Sequence, residues 1–294
     1  MMNKRIFALG FFDGVHLGHQ ALLRECVRLA GETGCEAAAI TFDRHPQSLF
    51  CHEAPRLIST LADRLRLLEG YGIEYTETLP VTTQTMSTPW QGFLEQLLAK
   101  GAAGFVCGGD FRFGHMGRGS SEKLLAFCAE RGFPCVIVPE QTLEGIRISS
   151  TYIRRQIEEG DMATAVRFLG HPYVLTGTVV PGKQLGRRLG IPTANLRLPE
   201  DVAVPEFGVY ACRCRIGEEA YPAVTNVGTR PTVEGRDITV EPWILDYSGD
   251  LYGREITLEF FRFLRREQKF PDLEALKTQI REDARNTREY LQSL

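Results

Sequence analysis

The sequence predicts an N-terminal α/β domain on a parallel sheet, followed by an antiparallel β barrel or sandwich that ends in a helix. Its 294 residues amount to about two domains of ordinary size. Short apolar runs alternate with amphipathic helical patterns in the first half, and β-rich runs between Gly, Pro and Asp turns fill residues 173–264. The break at Gly170, His171 and Pro172 separates these two textures, so we expect domains at residues 1–171 and 172–294.

The elements of the first domain follow from hydrophobic periodicity. Strands alternate with helices, and such strands are joined by right-handed crossovers in a parallel sheet. Parallel sheets of this kind bind ligands beyond the carboxyl ends of their strands. The predicted strands are 6–9, 37–42, 105–107 and 135–138. Five helices are predicted: the first ends at Gly31 and Gly34, the second starts at Leu61, the third has Pro89 at its first position, the fourth covers 121–131, and the fifth ends at Leu169.

The second domain is predicted from β-rich runs that lack helical periodicity. They lie at 173–180, 208–216, 238–247 and 255–264, separated by turn residues. This spacing is typical of a small antiparallel barrel or sandwich. After these runs, Asp272 is predicted to cap a final amphipathic helix with a continuous apolar stripe.

Composition and charge exclude several classes of protein. The chain is 43% hydrophobic and 24% charged, which is typical of a folded protein. Its 34 Lys and Arg against 37 Asp and Glu give a net charge of −3, which argues against a nucleic-acid binder or a polybasic membrane binder. The N-terminus lacks a secretory signal pattern, and no stretch is apolar enough to span a membrane. Eight cysteines without Cys-x-x-Cys pairs favour buried thiols in a reducing cytoplasm over a disulfide or metal framework.

The first chemical pattern is the stretch 10–19, which follows the first strand and opens the first helix. Gly14 and Gly18 allow a bulky ligand to approach the backbone, and the helix N-terminus favours an anion. His16 and His19 share a face of the first turn, where two imidazoles suit charge that develops on phosphorus. The alternatives are a pair of capping or core histidines and, less favoured, a metal site that lacks further ligands at fixed spacing.

Three more loops could contribute to the same site, because each follows a strand of the predicted sheet or opens a helix. They are 41–46, 108–114 and 148–154. Each is weak alone, since Ser149, Ser150 and Thr151 before a helix are more often only a cap. Together they place phosphate-binding groups, including Arg154, at one sheet edge. The Gly-x-x-x-x-Gly-Lys-Ser/Thr pattern is missing from the sequence, which excludes a P-loop nucleotidase.

The motif His16-Leu17-Gly18-His19, with residues 148–151 and Arg154, resembles the nucleotidylyltransferase superfamily. Residues 109–114 narrow this resemblance to the FMN adenylyltransferase module of bacterial bifunctional riboflavin kinase/FMN adenylyltransferases. The resemblance implies a Rossmann-like domain that binds ATP and its phosphates through Gly10, Phe12, Asp13, Gly14, His16, His19, Gly109, Asp110, Ser149, Ser150, Thr151 and Arg154, with His16 and His19 as catalytic residues. It also implies a flavin side formed by Phe42, His45, Pro46 and Phe111.

The second chemical pattern lies at the start of the β-rich half. Residues 177–195 contain a glycine-rich loop, and Thr193 and Asn195 project to the same side of an extended segment, where they suit a Mg²⁺ ion or a phosphate. An ordinary β loop is an equally good interpretation from composition alone. Residues 226–232 read as a second loop. Glu241 stands in an apolar run, where a raised pKa would suit proton abstraction, although a solvent-facing Glu at a barrel mouth is the favoured interpretation from the residues alone.

The second half resembles riboflavin kinase through motifs in the family's order, at 186–195, 208–210, 226–232, 245–247, 250–253 and 266–270. The resemblance implies a six-stranded antiparallel barrel with a C-terminal helix. It implies ATP and Mg²⁺ binding by Gly182, Lys183, Gly186, Arg187, Gly190, Pro192, Thr193 and Asn195, with Thr193 and Asn195 on the Mg²⁺. It further implies flavin binding by Asn226, Gly228, Thr229 and Arg230, and Glu241 as the catalytic base. Pro242 removes a ladder donor beside this base, so we expect it at an edge or a bulge.

The function expected from both resemblances is phosphorylation of riboflavin to FMN and adenylylation of FMN to FAD, each with Mg²⁺ and ATP. The alternative is an FMN adenylyltransferase with an inactive, flavin-binding kinase-like domain. A regulator that senses flavin or contacts nucleic acid is less favoured, because the charge balance is acidic and no recognition helix with clustered basic residues is evident. A nucleotidylyltransferase for another acceptor would leave the β-rich half unexplained. We expect a cytoplasmic enzyme of small-molecule substrates, without nucleic acid, membrane or obligate protein partner.

Overall fold

The computed structural model describes residues 3–51, 53–182, 190–199, 201–232 and 235–294, without the side chains of 230–232 and 235–237. Its internal contacts form two compact units, which are Met1–Leu57 with Leu61–Ser150, and Ile58–Thr60 with Thr151–Leu294. The second unit therefore includes the two helices that precede residue 171. The units are defined by spatial contacts, whereas the predicted domains are continuous ranges of the chain. The domain limits 1–171 and 172–294 therefore stay a prediction.

The first unit is built on a parallel sheet of five strands in the order β3-β2-β1-β4-β7. These strands are β1 (Arg5–Leu9), β2 (Glu36–Phe42), β3 (Tyr75–Leu79), β4 (Ala102–Gly108) and β7 (Cys135–Val138). The predicted parallel sheet and four of its strands are confirmed. Strand β3 was not predicted, because its five half-buried residues lie at the sheet edge and lack an apolar run.

Helices cover both faces of this sheet. Along β1, Ile6 and Ala8 face one apolar cluster and Phe7 and Leu9 face the other, as the two-residue period of a strand requires. Helices α1 (Leu17–Thr33) and α2 (Leu61–Gly70) contribute to the first cluster, and α4 (Trp90–Leu98) and α5 (Ser121–Arg131) contribute to the second. The burial of both faces explains why the strands read as continuous apolar runs.

Two predicted helix ends are corrected. Helix α1 continues through Gly31 and ends at Gly34, whose left-handed conformation (φ 64°) caps the helix. Pro89 is the residue before helix α4 rather than its first residue. Between the larger elements lie α3 (Thr83–Met86) and two small hairpins, β5 (Arg112–Phe113) with β6 (Gly119–Ser120) and β8 (Thr142–Leu143) with β9 (Ile146–Arg147).

The second unit contains a closed antiparallel barrel of six strands, in the order β10-β11-β14-β13-β12-β15. Helices α6 (Ser150–Glu158) and α7 (Met162–Leu169) precede the barrel, and helix α8 (Leu273–Gln292) follows it and packs on β12 and β13. The strands are β10 (Tyr173–Val180), β11 (Asn195–Arg197), β12 (Gly208–Ile216), β13 (Glu219–Thr232), β14 (Gly235–Ile244) and β15 (Glu255–Arg265). The barrel and its C-terminal helix are thus as the resemblance implied.

The predicted loop at residues 226–232 is wrong, because these residues form the second half of β13 and pair with β14. Gly228 and Pro231 are typical of turns, but a long cross-strand ladder outweighs such local preferences. Strand β11 was also missed, since only three residues are involved.

A buried ion pair fastens helix α8 to the barrel. Asp283 is 2% exposed and accepts hydrogen bonds from the Arg265 guanidinium at 2.8–3.1 Å. Asp272 caps the start of this helix by accepting a hydrogen bond from the amide of Ala275 at 2.8 Å, as predicted. Among the described residues, the helices are too short or too polar for a membrane span.

Candidate active sites

A cavity of about 280 Å³ lies at the carboxyl ends of β1, β4 and β7. This is the edge where a parallel sheet is expected to bind ligands. Predicted site residues on its wall are Gly10, His16, His19, Gly109, Asp110, Phe111, Ser149 and Ser150. Loops that are far apart in sequence therefore meet at one cavity.

His16 is the N-cap of helix α1. Its Nδ1 accepts a hydrogen bond from the backbone amide of His19 at 3.3 Å. A neutral imidazole with Nδ1 as acceptor carries its proton on Nε2, so this contact sets the tautomer of His16. The His16 and His19 rings stack, with centroids 3.6 Å apart and an interplanar angle of 13°. The two imidazoles therefore form one rigid group at a helix N-terminus, where anions are favoured.

His19 is half-buried, and its environment favours the neutral imidazole. Burial lowers its pKa well below the ordinary 6.5, and His16 and Arg64 lower this pKa further. The buried Nδ1 of His19 has no hydrogen-bond partner among the described residues. Buried polar atoms are normally paired, so this nitrogen is an unsatisfied group beside the cavity.

The turn that precedes helix α1 lies next to the cavity. Phe12, Asp13 and Gly14 are buried beside it rather than on its wall. Phe12 and Gly14 have positive φ values of 58° and 75°. Glycine adopts such a backbone conformation without strain. The hydroxyl of Ser150 donates a hydrogen bond to the carbonyl of Asp13 at 3.0 Å.

Thr151 and Arg154 lie on helix α6, with Thr151 exposed in its first turn and Arg154 half-buried one turn later. The division by contacts assigns both residues to the second unit. Their predicted phosphate contacts stay a prediction.

Arg147 is a cavity residue that sequence reasoning missed. Its guanidinium forms ion pairs with Asp110 and with Glu140, the latter at 2.8 Å. All three side chains are more than half exposed, so these pairs are screened by solvent and contribute little to stability. No local pattern marks Arg147, because its role depends on the β8–β9 hairpin that brings it to the cavity.

A second cavity of about 190 Å³ adjoins the first and shares Leu9, Gly10 and Phe111 with it. Its wall is mainly apolar, and the predicted residues Phe42, Pro46 and Phe111 lie on it. His45 is not among the lining residues; its ring meets that of Phe11 edge-on at 5.3 Å. The sequence analysis missed the residues that close the other side, which are Thr85, Met86, Thr88 and Phe93.

The barrel unit also contains two adjoining cavities, of about 640 and 550 Å³, and Thr193 lies on the wall of both. The larger is lined by Val179, Pro192, Thr193, Ala194, Ile244 and residues 247–252. The other is lined by Asn226, Glu241, Trp243 and Arg265, by residues 267–270, and by residues of helix α8. Residues 267–270 belong to the motif 266–270, which resembles riboflavin kinase but for which the sequence predicted no role.

Glu241 and Asn226 face the same cavity from neighbouring strands. They are direct cross-strand partners on β14 and β13. The Asn226 amide also donates a hydrogen bond to Glu267 at 3.1 Å. A Cβ added to Gly228 would lie only 2.5 Å from a Glu267 carboxylate oxygen, so this position leaves room for that carboxylate. Thr229 follows on the same strand and is exposed.

Pro242 was expected at an edge or a bulge, and this expectation is wrong. It lies within the unbroken β13–β14 register, opposite Thr225, in a strand with two neighbours. Its carbonyl accepts a hydrogen bond from the amide of Ala194 at 2.9 Å. Because the N and O atoms of a strand residue point to the same side, the missing N–H faces Ala194, and the ladder with β13 loses no bond.

Thr193 and Asn195 flank Ala194 and are therefore held beside β14. The Asn195 side chain lies against Gly182, where any added Cβ would overlap its amide. Gly190 and Pro192 precede this segment, with Gly190 at a positive φ of 73°. Lys183, Gly186 and Arg187, and the side chain of Arg230, lie outside the described residues.

Thr193 and Asn195 offer a hydroxyl and an amide oxygen, which are hard ligands of the kind that Mg²⁺ prefers alongside substrate phosphates. Within the described residues, no cluster of three His, Cys, Asp or Glu side chains is arranged to hold a metal ion. The residues present thus fit a Mg²⁺ ion that is held in part by nucleotide phosphates.

Comparisons with known proteins agree for both units. A family model described as FAD synthetase matches residues 1–152, and one described as riboflavin kinase matches residues 169–291. A solved structure from Streptococcus pneumoniae, named as a macrolide-efflux protein, is 31% identical with a TM-score of 0.88, over 98% of this chain and 95% of that one.

Three relatives share the name bifunctional riboflavin kinase/FMN adenylyltransferase. The protein of Listeria monocytogenes is 35% identical over 99% of this chain and 94% of its own length. That of Escherichia coli K12 is 36% identical over 97% and 92%, and that of Bacillus subtilis is 32% identical over 99% and 94%. The chain therefore belongs to the family of bifunctional riboflavin kinase/FMN adenylyltransferases.

Proposed function

We propose that each unit performs one transfer reaction between two bound small molecules. The barrel unit phosphorylates riboflavin to FMN with ATP. The parallel-sheet unit transfers the adenylyl group of a second ATP to FMN, which yields FAD and pyrophosphate. The observation that carries this proposal is that each unit contains two adjoining cavities with a shared wall. Direct transfer between two substrates needs such an arrangement, because the reacting atoms must meet in line.

In the parallel-sheet unit, ATP occupies the cavity with His16 and His19, and FMN occupies the apolar cavity beyond Gly10 and Phe111. The FMN phosphate is already an anion, so it attacks the α-phosphorus without a general base, and the bond to pyrophosphate breaks. The rigid imidazole pair and the start of helix α1 stabilise the charge that develops at phosphorus. Ser149 and Ser150 are assigned to the β- and γ-phosphates, and Gly109 and Asp110 to the nucleotide.

In the barrel unit, the nucleotide occupies the larger cavity and riboflavin the one that contains Glu241. The Glu241 carboxylate accepts the proton of the ribityl hydroxyl while the hydroxyl oxygen attacks the γ-phosphorus, and ADP leaves. Asn226, as the cross-strand neighbour of Glu241, is assigned to the flavin together with Gly228, Thr229 and Arg230. Thr193 lies on both cavity walls, which is where the transferred phosphoryl group passes.

We assign Thr193 and Asn195 to Mg²⁺ in the kinase reaction. A bound Mg²⁺ neutralises phosphate charge on the nucleotide. The protein's own part is to hold the two oxygen ligands at a fixed spacing, through the bond from Ala194 to Pro242 and the packing of Asn195 on Gly182.

A cytoplasmic location is the second part of the proposal. It is supported by eight cysteines that are all free thiols, as in a reducing compartment. That neither nucleic acid nor an obligate protein partner takes part stays a prediction.

A product assay tests the two-reaction proposal. Purified chain is incubated with riboflavin, Mg²⁺ and ATP, and FMN and FAD are separated by chromatography. We expect both products. Glu241→Gln removes the proton acceptor, so we expect it to abolish FMN formation and to spare FAD formation from added FMN. Glu218→Gln, at an exposed turn of the same barrel, is the matched control and should leave both reactions intact. Undiminished FMN formation by Glu241→Gln would contradict the assigned base.

A further inference from the structure

Helix α2 carries a fully buried arginine, Arg64, whose guanidinium reaches the carboxyl ends of β1 and β2. Leu68, one turn later on the same helix, is part of the first apolar cluster of the parallel-sheet unit. Arginine is almost never fully buried unless its guanidinium is paired, because removing the charge from water is costly. The contacts of this guanidinium therefore indicate what its burial provides.

One nitrogen of the Arg64 guanidinium contacts three oxygen atoms at these strand ends. Nη1 donates hydrogen bonds to the hydroxyl of Thr41 at 2.9 Å, to the carbonyl of Phe42 at 3.0 Å and to the carbonyl of Phe11 at 3.3 Å. The Thr41 hydroxyl in turn donates a hydrogen bond to the carbonyl of Phe11 at 2.7 Å. Thr41 and Phe42 end strand β2, and Phe11 follows strand β1. Arg64 and Thr41 thus join two separate segments of the chain.

These two segments form walls of different cavities. Phe11 lines the nucleotide cavity, and Phe42 lines the apolar cavity assigned to FMN. Arg64 also lies over the Phe11 ring, with its Cζ 4.3 Å from the centroid, and the centroids of the Phe11 and Phe42 rings are 6.2 Å apart. Neither Arg64 nor Thr41 is among the described residues that line the two cavities. Contact with a substrate therefore does not account for this network, whereas support of both walls does.

We propose that Arg64 is a positioning residue of adenylyl transfer, which fixes the walls at Phe11 and Phe42 relative to each other. The FMN phosphate then lies in line with the α-phosphorus of ATP before the reaction begins. A transfer without a general base depends on this alignment, and a misplacement of about 1 Å can cost about 100-fold in rate. The inference rests on the occupants that we propose for the two cavities.

The first variant, Arg64→Lys, keeps the positive charge but has a side chain that ends one bond short of Nη1. The ammonium cannot reach all three oxygen atoms, so we expect kcat for FAD formation from added FMN to fall by about 10- to 100-fold. The KM values for FMN and for ATP should change much less, because each substrate still meets its own wall. Arg66→Lys, the same change at an exposed position of helix α2, is the matched control. FMN formation from riboflavin in the same preparation is the internal reference and should stay unchanged.

A second pair of variants tests the same network without altering Arg64. Thr41→Val keeps nearly the shape of the side chain but removes the hydroxyl, so kcat for FAD formation should again fall. Thr41→Ser retains the hydroxyl and should keep a kcat close to that of the unmodified chain. Thermal unfolding of every variant is recorded, which separates a loss of alignment from a loss of folded protein. If Arg64→Lys does not fold, Thr41→Val still decides, because the guanidinium stays in place.

Three results would overturn the proposal. The first is an unchanged kcat in a folded Arg64→Lys variant, and the second is a rise in the KM for one substrate without a fall in kcat. The third is an equal fall in Thr41→Val and Thr41→Ser, because the hydroxyl would then not be the cause. Failure of the proposed function is distinguishable from all three, since the unmodified chain would then form no FAD from FMN and ATP.

Discussion

Replacement of His19 by alanine is the sharpest test of the adenylyl-transfer site. The imidazole lies on the wall of the nucleotide cavity and is held by its stack on His16 at 3.6 Å before any substrate arrives. A group that is fixed in advance costs no reorganisation when charge develops at the phosphorus. Removing one such group costs about 2.7–4 kcal/mol of transition-state stabilisation, or about 10²–10³-fold in rate. We expect kcat/KM for FAD formation from FMN to fall by that factor.

The assay compares the rates of the two reactions in the same preparation of the chain. FAD formation from added FMN reports the parallel-sheet unit, and FMN formation from riboflavin reports the barrel unit in the same preparation. Arg28→Ala, which changes an exposed residue on the same helix, is the control. Thermal unfolding of His19→Ala is recorded as well, because the substitution removes a half-buried ring that packs edge-on against Phe12 at 5.2 Å.

Two results would refute this reasoning. If His19→Ala kept its rate of FAD formation within a few-fold, the imidazole pair would not stabilise the transition state. If both reactions fell together in a chain that unfolds at the normal temperature, the two sites would not be separate. A selective loss of FAD formation supports both the assigned role and the two-site arrangement.

Three further predictions follow from individual contacts. The pKa of His19 in the folded chain lies below 6.5, so the unfolded chain binds more protons than the folded chain as the pH falls below 6.5. The free energy of unfolding of the parallel-sheet unit should therefore decline over that pH range. Urea titrations at several pH values should show a smaller decline for His19→Gln. Asp283→Ala leaves the Arg265 guanidinium without its buried partner and should lower the free energy of unfolding of the barrel unit by about 3–5 kcal/mol in denaturant titration. Gly182→Ala displaces the Asn195 amide and should raise the KM for ATP of the kinase reaction without altering adenylyl transfer, as steady-state kinetics can show.

The large features of the fold were predictable because each leaves a periodic signal in the sequence. Strands buried on both faces read as apolar runs, and β1, β4 and β7 were located on that basis. Strand β3 was missed because an edge strand with polar residues has no such run. The second half of β13 was mistaken for a loop, since Gly228 and Pro231 carry turn preferences that only the cross-strand ladder with β14 outweighs.

The site was predictable where its residues belong to a local motif. Gly10, His16, Gly109 and Ser149 follow strands or open helices, and parallel topology brings such segments to one edge. Arg147 and Met86 carry no such signal, because only the fold of the intervening chain brings them to the cavities.

The charges in the two units correspond to the nucleophiles of the two reactions. Riboflavin attacks through a neutral hydroxyl, which needs a proton acceptor, and the barrel places the Glu241 carboxylate beside the neutral amide of Asn226. FMN attacks through a phosphate, which a nearby carboxylate would repel. In the parallel-sheet unit the two carboxylates of the nucleotide cavity, Asp110 and Glu140, are both paired with Arg147. The imidazole of His19 is half-buried and kept neutral, so it adds no charge of either sign to the cavity. One chain thus supplies a base only where the chemistry requires it.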